Sequence, residues 1–194
     1  MLALSFVILA ATPREACIER YAHRAPASAR RYFNAFDDVF ASVGAERNVE
    51  PALLKSIAWC ETRLDPCAVS AAGAQGLMQF MPATFDAVAN AADANDPFDP
   101  KHSIRSAGVY IAALLNYWQG NLEAVVASYN AGPNAVARAI KRGRTVPSIA
   151  ETQGYVACVL GAYGSFKTAR AETAPNNASI LTRLFAALSS GGSR

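Results

Sequence analysis

A chain of 194 residues that is 52% hydrophobic and 17% charged can build a core in one domain with tails, which excludes a disordered chain. Its net charge of +3 and pI near 8.7 suit an anionic polymer. They lack the clustered Lys and Arg of a nucleic-acid binder, so no nucleic-acid partner is expected. Arg30-Arg31 and Lys141-Arg142-Gly143-Arg144 are short enough to read as solvated faces.

The opening MLALSFVILAATPREAC has an apolar run, Leu2 to Ala11, too short for a bilayer, which needs about 20 residues. Residues 1–16 therefore read as a signal peptide, imperfect because no Lys or Arg precedes the run. The expectation is a periplasmic or otherwise exported chain with no transmembrane span in its mature form. Residues 17–45 read as a helical extension. There YFNAFDDVFASVG carries one apolar helical face, and Gly44 suits its stop. NVEPALLKSIAWCETRL follows with Pro51 at the tolerated first helical position. SAAGAQGLMQFMP is glycine-punctuated, and a small irregular or β-hairpin segment is expected near residues 68–80. PATFDAVANAA starts a short helix at Pro82, and NDPFDP is a rigid loop. SIRSAGVYIAALLNYWQG reads as a long buried helix with Ser103 as N-cap and Gly120 as stop. NLEAVVASYNAG is capped by Asn121 and ended by Gly132-Pro133. NAVARAIKRG and AETQGYVACVLGAYGSF complete the helices, and residues 166–194 read as linker and tail. The fold class is mainly α.

Four cysteines, Cys17, Cys60, Cys67 and Cys158, suggest two disulfides in an exported chain. Three pairings are open, as is the alternative that Cys60 and Cys158 are buried thiols. Cys60 with Cys67 is the attractive pair, because it would pin the loop after Glu61. No Cys-x-x-Cys exists, and His23 and His102 lie far from the cysteines, which argues against zinc. DANDPFDP lacks the glycine and terminal glutamate of a calcium loop. No metal and no cofactor are expected.

Glu61 stands out. On a helix over residues 51–64 it lies within the apolar stripe, flanked by Leu54 and Ile57, with Trp59 nearly opposite. Burial disfavours a carboxylate. A pKa raised from about 4.3 to about 6 would need roughly 2.3 kcal/mol of differential solvation, and a neutral carboxyl so placed can donate its proton to a leaving oxygen. The alternative is a glutamate paired with Arg63 or a backbone group.

Four stretches extend the pattern: ETRLDPCAVSAAGAQGLMQFMPAT (61–84), DPKHSIRSAGVYI (99–111), ASYNAGPNAV (127–136) and ETQGYVACV (151–159). In order and spacing, over roughly residues 46–165, they resemble the bacterial soluble lytic transglycosylase family. The resemblance implies a lysozyme-like helical domain over 46–165. It also implies cleavage of the MurNAc–GlcNAc β-1,4 bond of peptidoglycan glycan strands, leaving a 1,6-anhydro-MurNAc end. By the same resemblance Glu61 is the catalytic acid and base, and Ser70, Gln79, Met81, Tyr129, Asn130 and Tyr155 are substrate-binding positions. Thr62, Ser103 and Ser128 depart from the family's usual serine, asparagine and alanine, and Cys60 and Cys67 are not general family features. Tyr129 could equally be a core tyrosine and Asn130 a helix end, while Met78 and Phe80 read as core. Small members suggest partnership with a secretion, conjugation or phage apparatus. Two rivals remain: a hydrolase of the same fold, for which Asp65 and Asp86 are candidate second carboxylates, and a non-catalytic peptidoglycan-binding subunit.

Overall fold

The structure is a computed structural model that describes residues 11–22 and 32–173. Residues 1–10 of the expected signal peptide, residues 23–31 with His23 and Arg30-Arg31, and residues 174–194 of the expected tail lie outside the described residues. Within them run eight α-helices: α1 (Pro13–Ala22), α2 (Asp37–Arg47), α3 (Pro51–Thr62), α4 (Pro82–Ala92), α5 (Pro100–Tyr117), α6 (Leu122–Ala131), α7 (Pro133–Ile140) and α8 (Ala150–Thr173). The mainly α expectation holds. The segment near 68–80 is tighter than a regular hairpin, with isolated antiparallel bridges Val69–Gln75 and Gln75–Phe80. None of these helices is long and apolar enough to cross a membrane.

Local chemistry sets the helix ends. Prolines at the starts of α3, α4, α5 and α7 cost nothing, since the first-turn N–H groups have no intrahelical acceptor. Asn121 caps α6 by accepting from the Ala124 N–H. α3 stops where Arg63 and Leu64 turn left-handed, at φ 54° and 69°. The α5 cap differs from expectation. Asp99, not Ser103, accepts from the Lys101 and His102 N–H groups, because the helix begins at Pro100 and Ser103 falls one turn inside it. Gly44 likewise does not stop α2, which continues to Arg47 and ends on left-handed Asn48. Its missing side chain serves packing: a Cβ there would meet the Val49 carbonyl at 2.6 Å and Pro51 Cγ at 2.7 Å. α8 continues unbroken past Phe166 to Thr173.

α3 lies at the centre. Leu53, Leu54, Ile57 and Ala58 are fully buried, each larger side chain worth about 1.5–3 kcal/mol over exposure. They share one core with Ile104 and Ile111 of α5, Val125 and Val126 of α6, Val156 and Val159 of α8, and Leu77 and Met78. α3 packs against α2 and α8, α4 against α5, and α6 against α7 and α8. Leu77 and Met78 thus anchor the irregular segment in the core beside the end of α3.

The disulfides are Cys17–Cys67 and Cys60–Cys158, which corrects the Cys60–Cys67 expectation. Cys60 sits in the last turn of α3 and packs against the main core, where it meets α8. The left-handed pair Arg63-Leu64 then swings the chain away, so Cys67 joins a separate small cluster with Cys17 and Phe98. α1, which continues through the expected 16/17 boundary, is fastened there. Arg14 Nε donates to the Cys67 carbonyl, and Arg20 pairs with Asp99 at 3.4 Å.

Candidate active site

Glu61 occupies the last turn of α3 and is half-buried, within the apolar stripe as the helical wheel places it. Its pKa is pushed up from 4.5 to about 7. Burial is the main cause. The neighbouring Tyr155 hydroxyl pulls it down, and the negative charge of Glu151 pushes it up. Glu61 makes no ion pair among the described residues. Arg63 instead donates to the Trp59 carbonyl and lies over the Trp59 ring, 4.9 Å from its centroid. Trp59 packs on the far side against Phe33 and Phe166.

Three helices fix the segment beside Glu61. From α3, the Thr62 hydroxyl lies 3.0 Å from the Leu77 carbonyl and 3.2 Å from that of Ala58. From α5, the buried Ser103 hydroxyl accepts from the Met78 N–H at 3.2 Å. From α6, the Tyr129 hydroxyl donates to the Met78 carbonyl at 2.8 Å. Met78 is therefore held on both sides of its backbone, and Ser103, standing where the family usually has asparagine, supports this segment. Gly76 permits the approach of the 95–99 loop. At φ 72°, a Cβ there would lie 1.8 Å from the Pro97 carbonyl oxygen.

The other sequence-selected positions fall around this frame. Gln79 takes φ 50°, and its amide nitrogen donates to the Ala68 and Gly76 carbonyls. Ser70 is exposed, and its hydroxyl accepts from the Ala74 N–H, closing the turn between the bridges. Met81 is 45% exposed ahead of α4. The Tyr129 ring packs on Phe80 and Tyr110. Burial, then the charge of Glu61, hold its hydroxyl well above the usual tyrosine range. Asn130 accepts from the Thr152 hydroxyl at 2.7 Å, tying α6 to α8. The Tyr155 hydroxyl is buried and makes no hydrogen bond of ordinary geometry, yet it is close enough to Glu61 for each to shift the other. Glu61, Tyr129 and Tyr155 thus form one electrostatically connected group.

Asp65 and Asp86 are the candidate second carboxylates of a hydrolase. Asp65 accepts from the Cys67 N–H, and Asp86 is exposed on α4. The carboxylate that acts on Glu61 is Glu151, within ETQGYVACV, a residue to which the sequence alone assigns no role. Its place four residues before Tyr155, one turn away on the same helix, is the signal that could have found it. Among the described residues no three His, Cys, Asp or Glu side chains converge to hold a metal.

Residues 38–152 match the family described as the transglycosylase SLT domain, more than half of the chain. The chain belongs to this family. Similar proteins include a Haemophilus influenzae protein named "Putative soluble lytic murein transglycosylase", 30% identical over 137 residues, covering 63% of this chain and 23% of that protein. Peptidoglycan transglycosylase gp16 of Escherichia phage T7 is 32% identical over 101 residues, covering 50% of this chain and 8% of gp16. The chain thus spans about a quarter or less of these curated relatives. The 70 kDa soluble lytic transglycosylase of Escherichia coli is structurally similar, with TM-score 0.60 and 26% identity, over 71% of this chain and 25% of that one. An inactive mutant of the lytic transglycosylase Slt from Pseudomonas aeruginosa gives TM-score 0.65 at 23% identity, over 78% of this chain and 26% of that one, and shows the shared fold. The lysozyme-like helical SLT fold is therefore that of this chain.

Proposed function

We propose that this SLT-domain chain is a peptidoglycan lytic transglycosylase in which Glu61 acts first as acid and then as base. The observation that carries the reading is the placement of Glu61 at the end of α3 beside the buried Tyr155 hydroxyl, without an ion pair among the described residues; burial raises its pKa to about 7 and keeps the protonated form populated near neutral pH. The protonated carboxyl gives its proton to the oxygen of the MurNAc–GlcNAc bond. The C1–O bond breaks as an oxocarbenium-like centre develops, supported by the sugar's own N-acetyl group. The C6 hydroxyl of MurNAc then attacks C1, and the Glu61 carboxylate takes its proton. A 1,6-anhydro end forms, Glu61 regains its starting state, and no water is consumed. A second carboxylate to activate water is not required.

Within this reading Tyr155 and Tyr129 line the acid's surroundings. Gln79, with its nitrogen committed to the loop, offers its oxygen to a sugar N–H or O–H. Asn130 offers its amide nitrogen, its oxygen being taken by Thr152. Met81 and Ser70 present an apolar and a polar contact at the exposed edge. The domain extends over 46–165, and a leader ending before Cys17 leaves the Cys17–Cys67 bridge intact in an exported, periplasmic chain. Two disulfides support that compartment. The likeness to a phage peptidoglycan transglycosylase supports local wall opening for an envelope apparatus of phage, conjugation or secretion type.

Mass spectrometry of muropeptides released from purified sacculi tests the mechanism. Wild type should release anhydro ends and Glu61→Gln should release almost none. Reducing MurNAc ends would establish the hydrolase instead, and unchanged turnover by Glu61→Gln would refute the assigned acid.

A further inference from the structure

The arginines that sequence reading assigns to a solvated face do not lie on a featureless surface. α7 and the loop after it enclose a recess of about 440 Å³ whose lining includes Arg138, Arg142, Arg144, Ser148 and Ile149, with no acidic side chain. Arg138 lies on α7. A tight turn follows, in which the Arg142 and Arg144 N–H groups both return to the Ala139 carbonyl, at 2.9 and 3.1 Å. That turn folds the chain back on α7, so that Arg138, Arg142 and Arg144 all line one hollow. The Arg144 guanidinium donates to the Ser148 hydroxyl, which limits its rotamers. None of the three arginines takes part in an ion pair among the described residues. Three like charges at one hollow repel one another, and an oxyanion between them relieves that repulsion. The planar guanidinium fork matches a carboxylate in two-point contact better than a lysine would.

The recess also has a direction. Its wall at Ser148 and Ile149 leads into α8, whose amino end adds a partial positive charge. Glu151, the carboxylate that acts on Glu61, follows Ile149 by two residues, about 3 Å of helix rise. The recess therefore lies at the amino end of the helix that carries Glu151 and Tyr155. A glycan strand there would carry, on MurNAc, a short peptide with free carboxylates. We propose that the Arg138–Arg142–Arg144 recess binds a carboxylate of this peptide stem and so favours stem-bearing strands, an inference that rests on the function proposed above. A lipid phosphate shares the oxyanion chemistry, but the position beside Glu151 favours the substrate's own peptide.

The test uses the whole chain on glycan strands in two forms, stem-bearing and stripped of stems by an amidase. For Arg142→Gln/Arg144→Gln the ratio of kcat/KM on stem-bearing over stem-free strands should fall tenfold or more, chiefly through KM. Arg142→Lys/Arg144→Lys should recover part of the loss. An equal fall on both substrates, or no fall on either, overturns the proposal. Binding is read apart from turnover by titrating a soluble stem tetrapeptide into the Glu61→Gln protein. The added arginine substitutions, and amidation of the peptide carboxylates, should each weaken binding tenfold or more. Absence of any such weakening overturns the recess reading even if glycan is cleaved. Failure of wild type to cleave either strand overturns the enzymatic reading, while the peptide titration still decides what the recess binds. Loss of binding to phosphatidylglycerol vesicles with peptide binding intact would assign the recess to lipid phosphate.

Discussion

Glu61→Gln should make the protein more stable at alkaline pH while removing its chemistry. Glu61 has a folded-state pKa of about 7 against an ordinary value of 4.5. For an acid whose pKa rises on folding, the folded state binds more protons than the unfolded state between those two values. Stability contributed by Glu61 is thus present below about 4.5 and lost as pH rises through about 7. At 1.36 kcal/mol per unit, the ionised group costs the fold about 3 kcal/mol above that range, an order-of-magnitude figure. Gln is similar in size and never ionises, so the variant escapes the cost. Thermal or urea unfolding of wild type and variant at pH 4.5, 6, 7 and 8.5 measures it. The variant's advantage should grow with pH and level off above about 7.5, raising Tm by roughly 6–12 °C at pH 8.5 for a chain of this size. A constant difference across pH would refute the argument, because a packing change carries no proton dependence. So would a variant less stable than wild type at pH 8.5.

If Glu61 is the acid of the proposed reaction, kcat/KM should fall as pH rises above about 7, where the acid form is lost. Glu151→Gln removes the nearby negative charge and should move that limb to lower pH, whereas Tyr155→Phe removes a group that lowers the pKa and should move it to higher pH. A rate profile for each variant checks the opposite signs, and shifts in one common direction would contradict the assigned causes. Gly76→Ala should lose several kcal/mol of stability by urea unfolding, because its Cβ meets the Pro97 backbone and its φ of 72° is unfavourable for alanine. Cys17→Ser/Cys67→Ser removes a bridge spanning 50 residues. Loop entropy puts its loss at about 4 kcal/mol, to be read from Tm under non-reducing conditions, with intact protein losing the same increment when only this bridge is reduced.

Features carried by local pattern were legible in the sequence. Pro51 and Asn121 mark their helix starts by backbone chemistry that needs no partner, and the helical period alone puts Glu61 in an apolar stripe. Features that depend on a distant neighbour were not. Gly44 resembles a helix stop, but its reason is the return of the chain at Val49 and Pro51. Ser103 resembles a cap, but it serves Met78, 25 residues earlier. Cys60 and Cys67 are close in sequence, but the left-handed Arg63-Leu64 pair sends them to different clusters. Glu151 carries no periodicity signal of its own, because its influence on Glu61 exists only once α8 lies across α3. The arginines after α7 read as a charge run because the turn that gathers them leaves no mark in composition.

The cysteine connectivity also bears on how the chain matures. Numbered along the chain, the bridges join the first cysteine to the third and the second to the fourth, so their rings overlap across residues 60–67, the stretch that holds Glu61. In chain order Cys60 precedes Cys67, so a chain oxidised from its amino end can close a Cys17–Cys60 ring first. That ring must be exchanged before α3 can reach α8, by thiolate attack through a mixed disulfide. The Cys67 thiolate can make that exchange within the chain: its attack on the Cys17 sulfur forms the Cys17–Cys67 bridge and releases Cys60 to pair with Cys158.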